Sequence, residues 1–127
     1  MSRTEIIVKR AFPAGQCIFD GVVYDGLEEH LASYFKAYLN TVPIELRHTN
    51  TNRYGRMGDV IIDPKYIVGH ATSFDDECFH VSLNEFGISV IDKIHDPILR
   101  ISVLANNRDR RVIEILKLVL DGGVFNE

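Results

Sequence analysis

Residues 66–83 read YIVGHATSFDDECFHVSL, two runs of alternating apolar and polar residues that flank the acidic triplet Asp75-Asp76-Glu77. Alternation with a period of two is typical of a strand with one buried face. A short acidic stretch between two such runs favours a tight turn. We therefore predict strands over 66–74 and 78–83, joined as a β-hairpin of an antiparallel sheet.

Further strands are predicted on both sides of this hairpin. Residues 5–8 and 16–24 are rich in Ile, Val and Phe, and the turn signal Pro13-Ala14-Gly15 between them favours an opening hairpin. Extended segments follow at 43–48, 60–62 and 98–104, with an exposed polar loop over 49–58. The segment 86–94 fits either a strand or one to two helical turns.

Two segments have the spacing of helices. The first begins at Asp25, which fits an N-cap with Glu28 as its capping-box partner, and it should end near Asn40, before Pro43. The second spans 108–121, with Asn107 as its cap and Gly122 at its C-terminal end. Its apolar residues lie almost all round, so we expect it to be buried centrally or to form a homo-oligomer contact with a second subunit.

These elements predict a single domain over residues 1–127. Its class is α+β: an antiparallel sheet or partly closed barrel of six to seven strands, one helix after the opening hairpin and one C-terminal helix. The 127 residues and the 46% hydrophobic content suffice for one core and leave no room for a second domain.

The charge balance narrows the classes of partner. Lys and Arg total 14 against 18 Asp and Glu, and the net charge of -4 argues against broad nucleic-acid binding and against an anionic membrane. The first ten residues hold too short an apolar run for a signal peptide or a membrane span, so we expect a cytoplasmic protein, in the host cytoplasm if phage-encoded. Cys17 and Cys78 form no CxxC pair and are expected to be free thiols.

Two histidines would share one face of the central hairpin. If Phe74 and Cys78 flank the turn, Thr72 lies opposite His80 and His70 lies opposite Ser82, which puts the two imidazoles roughly 7–8 Å apart. Such a pair would suit a two-histidine phosphoesterase or an anion site, and Cys78 on the same face would add a zinc ligand. The simpler interpretation is a solvent-facing polar side, and we expect no metal and no cofactor.

Arginines cluster at two places. Arg47, Arg53 and Arg56 surround a loop of glycines and amides that would bind a small anionic ligand through bidentate contacts, or lie in solvent. Three more arginines open the predicted C-terminal helix, where cations oppose the helix dipole: Arg108, Arg110 and Arg111. A nearby acidic partner, a bound anion or plain exposure would explain them.

Five short motifs resemble the assemblin serine proteases of herpesviruses and the related prohead proteases of tailed phages. The resemblance covers about residues 17–104 and rests on VPIELRH at 42–48, IVGHA at 67–71, Asp75-Asp76, FHVSL at 79–83 and LRISV at 99–103. It implies a capsid-maturation hydrolase acting on a protein substrate, with His48 as general base and Ser102 as nucleophile.

Three functions are therefore expected from the sequence. The first is a serine endopeptidase that uses His48 and Ser102. The second is a non-enzymatic ligand-binding or inhibitor protein, of phage or bacterial origin, that self-associates through its terminal helix and binds an anion with its arginine loop. The third is a phosphoesterase that uses His70 and His80.

Overall fold

The computed structural model describes residues 4–51, 57–61, 67–92 and 97–125, with side chains described within 5–46, 67–92 and 97–121. In chain order the elements are β1 (Thr4–Arg10), β2 (Ile18–Phe19), β3 (Val22–Val23), α1 (Leu27–Ala37), β4 (Val42–Thr51), β5 (Met57–Ile61), β6 (Ile67–Phe74), β7 (Cys78–Leu83), α2 (Glu85–Ile91), β8 (Ile98–Asn106) and β9 (Arg111–Phe125). The fold is α+β, as predicted.

Six strands close into a barrel in the order β4-β6-β7-β1-β8-β9, because β9 pairs with β4 as well as with β8. β5 pairs with the end of β4 and extends the sheet as a seventh strand. The predicted sheet of six to seven strands is confirmed. It is not wholly antiparallel, since β1 runs parallel to β8 and β4 runs parallel to β9.

The core lies inside this barrel and is supplied by alternate residues of the strands. Side chains that are almost fully removed from water lie on β4 (Val42, Ile44, Leu46), β7 (Phe79, Val81, Leu83), β8 (Leu99) and β9 (Leu118, Leu120). Two helices add to it, α1 through Leu27, Leu31 and Phe35, and α2 through Val90. Burial of these apolar side chains is the main source of stability.

The β6–β7 hairpin forms as predicted over 67–83, with one change of register, and the predicted first residue, Tyr66, lies outside the described residues. His70 lies opposite Ser82 as predicted, but Ser73, and not Thr72, lies opposite His80. Thr72 is the extra residue of a β-bulge, and its hydroxyl donates a hydrogen bond to the His80 carbonyl at 3.2 Å. The strict period of two could not predict this local insertion.

The predicted opening hairpin is wrong. β1 pairs with β7 and, over its last two residues, with β8, whereas β2 and β3 form a small hairpin of their own. The tight turn of that hairpin is Asp20-Gly21, and both residues have positive φ. Segment 5–8 is extended as predicted, but its partners β7 and β8 are distant in sequence and leave no local signal. Segment 16–24 is not one strand: it contains the two short strands that pair with each other.

Helix α1 starts without the predicted capping box. Its N-cap is Gly26, which has a φ of 89° and makes no side-chain cap. Asp25 instead bonds through its backbone to the start of β9, and Glu28 pairs with Arg10. The helix ends at Ala37, slightly before the predicted Asn40.

The segment that fitted either strand or helix forms α2. Its N-cap is Asn84, whose side-chain oxygen accepts the Gly87 N–H at 2.8 Å. Gly87 allows the helix to lie directly on β6, because a Cβ there would come within 2.4 Å of the Val68 carbonyl oxygen. A close helix–sheet contact therefore selects glycine at this position.

The predicted C-terminal helix is also wrong: residues 111–125 form β9. Two β-bulges explain the misleading pattern, since Leu116 and Ile113 are extra residues with no counterpart on β8. They spread the buried residues Val112, Ile115 and Leu118 to a spacing of three, which is close to the period of a helix. The self-association surface predicted on that helix does not exist in that form.

A buried arginine joins α1 to the barrel. The Arg10 guanidinium pairs with Glu28 and donates to the Asp75 carbonyl oxygen at 2.8 Å, and it is only 1% exposed. It lies 6.0 Å from the centre of the Phe74 ring and 5.6 Å from that of Phe79. One charged side chain therefore ties together α1, the β6–β7 turn and the aromatic part of the core.

Neither of the described helices is long and apolar enough to cross a membrane.

Candidate functional site

The predicted catalytic pair is not brought together. Arg47, next to His48 on β4, lies opposite Asp121 of β9, whereas Ser102 on β8 lies opposite Lys117 of β9. The two registers differ by about four to five residues along the sheet and by two strand spacings across it, which is roughly 15–20 Å between the backbones. Direct proton transfer needs contact at roughly 3 Å.

Ser102 lies on the outer face of β8. Its neighbours on that face are Arg100 and Leu104, both exposed, while the alternate residues contribute to the core. Arg100 pairs with Asp121, with 2.6 Å between Nε and Oδ2. Within the described part of the chain, no basic side chain bonds to the Ser102 hydroxyl.

The two histidines of the β6–β7 hairpin have separate surroundings. The His80 Nε2 lies 3.6 Å from the Asp75 Oδ2 at the turn. The backbone N–H groups of Glu77 and Cys78 donate hydrogen bonds to the Asp75 carboxylate at 2.9 and 2.7 Å. These two hydrogen bonds lower the pKa of Asp75, and the nearby His80 lowers it further. His70 lies opposite Ser82, away from this turn, and no group of three metal-ligating side chains occurs among the described residues.

The predicted arginine loop falls mostly outside the described residues. Arg53 and Arg56 lie between β4 and β5 in the undescribed segment 52–56, and of Arg47 the structure describes the backbone alone, opposite Ile61 and Asp121.

The other arginine cluster forms the tip of the β8–β9 hairpin. The Asn106 side chain shapes this turn, since its oxygen accepts the N–H groups of Arg108 at 2.9 Å and of Asp109 at 3.1 Å. Arg110 has a φ of 52°, and its carbonyl oxygen accepts the N–H of Asp25 at 2.9 Å. The turn is thus held by the Asn106 side chain at its β8 end and by the backbone hydrogen bond from Asp25 at its β9 end.

The tip has a concentration of unpaired positive charge. Arg108, Arg110 and Arg111 are all exposed, and no carboxylate in the described ranges forms an ion pair with them. By contrast, the other two arginines with described side chains, Arg10 and Arg100, are each paired with a carboxylate. A guanidinium group binds carboxylates in a planar, bidentate geometry, so the tip is suited to an acidic ligand.

A groove of about 410 Å³ lies beside this tip, between the β2–β3 hairpin and the end of β8. It is lined by Phe19, Asp20, Val22, Tyr24, Val103, Ala105 and Asn107. The Phe19 and Tyr24 rings stack edge to face with 5.5 Å between their centres, and the Tyr24 hydroxyl donates to the Asn107 side-chain oxygen at 2.8 Å. The groove therefore offers aromatic and aliphatic surface next to three free arginines.

A smaller cavity of about 140 Å³ lies near the start of α1 and is lined in part by Cys17 and Glu28. Both cysteines are free thiols, as predicted. Burial raises the pKa of the Cys17 thiol, which disfavours the thiolate.

The sequence singles out the tip arginines because positive charges are unusual at the N-terminus of a predicted helix. It does not predict the groove, because the two walls of the groove are far apart in the chain. The chain matches no protein-family model, no curated protein and no solved structure.

Proposed function

We propose that this chain is a non-catalytic binding domain that holds an acidic segment of a partner protein at the tip of the β8–β9 hairpin. The observation that carries the proposal is the set of three exposed arginines without a carboxylate partner in the described residues. The three arginines fall within four residues of one turn that also holds Asp109, so the turn keeps an excess of positive charge that a bound anion would offset.

The overall charge favours a protein partner over a nucleic acid. The net charge of -4 opposes a long polyanion anywhere beyond the tip. A short acidic segment of a protein needs only a local cluster of arginines, and the neighbouring apolar groove would accept its uncharged side chains.

The two enzymatic functions predicted from the sequence have less support. The serine protease prediction rests on His48 and Ser102, whose backbones are on separate parts of the barrel wall. The phosphoesterase prediction rests on His70 and His80, of which the second lies beside Asp75. Both stay predictions.

Selection from a displayed library of short random peptides tests the proposal. We expect the immobilised protein to enrich peptides rich in Asp and Glu, because the free guanidinium groups favour carboxylates. The most enriched peptide, resynthesised with a fluorescent label, should bind the Arg108→Glu/Arg110→Glu variant about tenfold or more weakly, and added salt should weaken its binding to the wild type.

The matched control is Lys9→Glu/Lys36→Glu, which makes the same change of net charge at two exposed lysines on β1 and α1. This variant should retain most of the affinity. Enrichment of peptides without an acidic excess, no enrichment at all, or equal losses in the two variants would each contradict the proposal.

A further inference from the structure

The barrel wall is incomplete along one edge of β8. β1 pairs with β8 only at Ile98 and Leu99, after which β1 ends. From Arg100 onward β8 has β9 on one edge, and no described strand lies on the other.

The backbone groups that face this open edge are identified by the alternation of the strand. The Leu99 carbonyl oxygen accepts the Ala11 N–H at 3.2 Å, so Leu99 directs its backbone groups toward the β1 side. Every second residue points the same way, which assigns Ile101, Val103 and Ala105 to the open edge. Apart from the pairing between strands, no backbone hydrogen bond in the described chain involves any of these three residues.

The open edge and the groove lie side by side. Val103 and Ala105 belong to both, and the opposite wall is the β2–β3 side, with Phe19, Val22 and Tyr24. The hydrogen bond from Tyr24 to Asn107 marks the end of the groove that adjoins the arginine tip. An extended chain along β8 would thus have backbone partners, an apolar groove and a cluster of positive charge in one line.

We infer that the acidic partner segment binds as an added β-strand along Ile101–Ala105, an inference that rests on the proposed function. Backbone hydrogen bonds to the open edge would supply affinity, and alternate apolar side chains would enter the groove. The acidic residues of the segment would lie at the arginine end, because Asp20 lines the groove itself and would repel a carboxylate there.

Charge complementarity favours a separate acidic segment over a second copy of this chain. The β8 sequence, ILRISVLAN, contains no acidic residue. A second copy that paired through its own β8 would therefore bring no carboxylate from that strand to Arg108, Arg110 and Arg111.

Backbone N-methylation of the selected peptide tests the pairing on the wild-type protein. Methyl groups on one alternate set of its amides should weaken binding about tenfold or more, because they remove donors and block strand addition. Methyl groups on the other alternate set, which face away from β8, should have little effect.

A variant on the protein side tests the same contact. Val103→Pro removes one N–H from the open edge without removing a donor to β9, a substitution that edge strands tolerate. It should weaken binding of the peptide several-fold more than Val103→Ala, which keeps the N–H. If Val103→Pro does not fold, the methylated peptides on the wild-type protein still decide the question.

The outcomes separate the two proposals. Equal binding of both methylated sets, with loss of binding in Arg108→Glu/Arg110→Glu, would overturn the strand pairing and leave the proposed function intact. Unchanged binding in that arginine variant would overturn the proposed function itself. If the protein alone sediments as a dimer that Val103→Pro converts to a monomer, a second copy occupies the edge and the peptide assignment fails.

Discussion

Arg10 shows how much one buried charge depends on its partner. Its guanidinium is almost fully removed from water, and the Glu28 carboxylate that neutralises it keeps 36% of its side-chain surface exposed. The two residues are thus unequal: removing Glu28 leaves a buried, uncompensated cation, whereas removing Arg10 leaves a carboxylate that water can solvate. The Arg10 Nε has no hydrogen-bond partner in the described structure, which adds to the cost of burying this group.

We therefore predict that Glu28→Ala lowers the free energy of unfolding by about 3 kcal/mol, and that Arg10→Met lowers it by about half as much. Urea unfolding followed by circular dichroism measures both changes. The double variant Arg10→Met/Glu28→Ala should be more stable than Glu28→Ala alone, because it no longer buries a lone charge. If the double variant loses as much free energy of unfolding as the two single variants lose together, this account is contradicted.

β9 is the element on which sequence and structure differ most. The sequence predicts a helix with apolar residues almost all round. The structure has a strand instead, and its two bulges decide which of these residues are buried. Leu118 is fully buried, while the bulge residue Leu116 is 51% exposed. The apolar content of the segment correctly indicates an element that packs on the core. Its periodicity is misleading, because each bulge shifts the alternation by one residue.

This difference predicts unequal effects of two identical substitutions on β9. Leu118→Ala should lower the free energy of unfolding by about 2–5 kcal/mol, since it leaves a cavity in the core. Leu116→Ala should change it by about 0.5 kcal/mol or less, as is usual for exposed positions. The midpoints of urea unfolding compare the two, and equal losses would refute the assignment of Leu116 to a bulge.

At the scale of the whole molecule, the closed barrel decides which residues meet. The strand order brings β1 between β7 and β8 and joins β9 to β4, and none of these contacts is between neighbours in sequence. The same order separates His48 from Ser102 and sets the arginine tip beside the β2–β3 hairpin.

From this separation we predict that a serine-directed phosphonate does not label Ser102. Intact-mass spectrometry should show no added phosphonate mass on the treated wild type, as on treated Ser102→Ala, because a serine without a base nearby is a poor nucleophile. An active serine hydrolase treated alongside is the positive control. Labelling of the wild type that disappears in Ser102→Ala would instead support the protease prediction.

Local patterns in the sequence alone determined the α+β class, the β6–β7 hairpin with its acidic turn, and the position of α1. Such features depend on periodicity and turn chemistry within short windows. Only the tertiary structure decided the partners of β1, the strand character of residues 111–125, and the groove between Phe19 and Val103. These features depend on β-bulges and on pairing between segments far apart in the chain, which no local pattern contains.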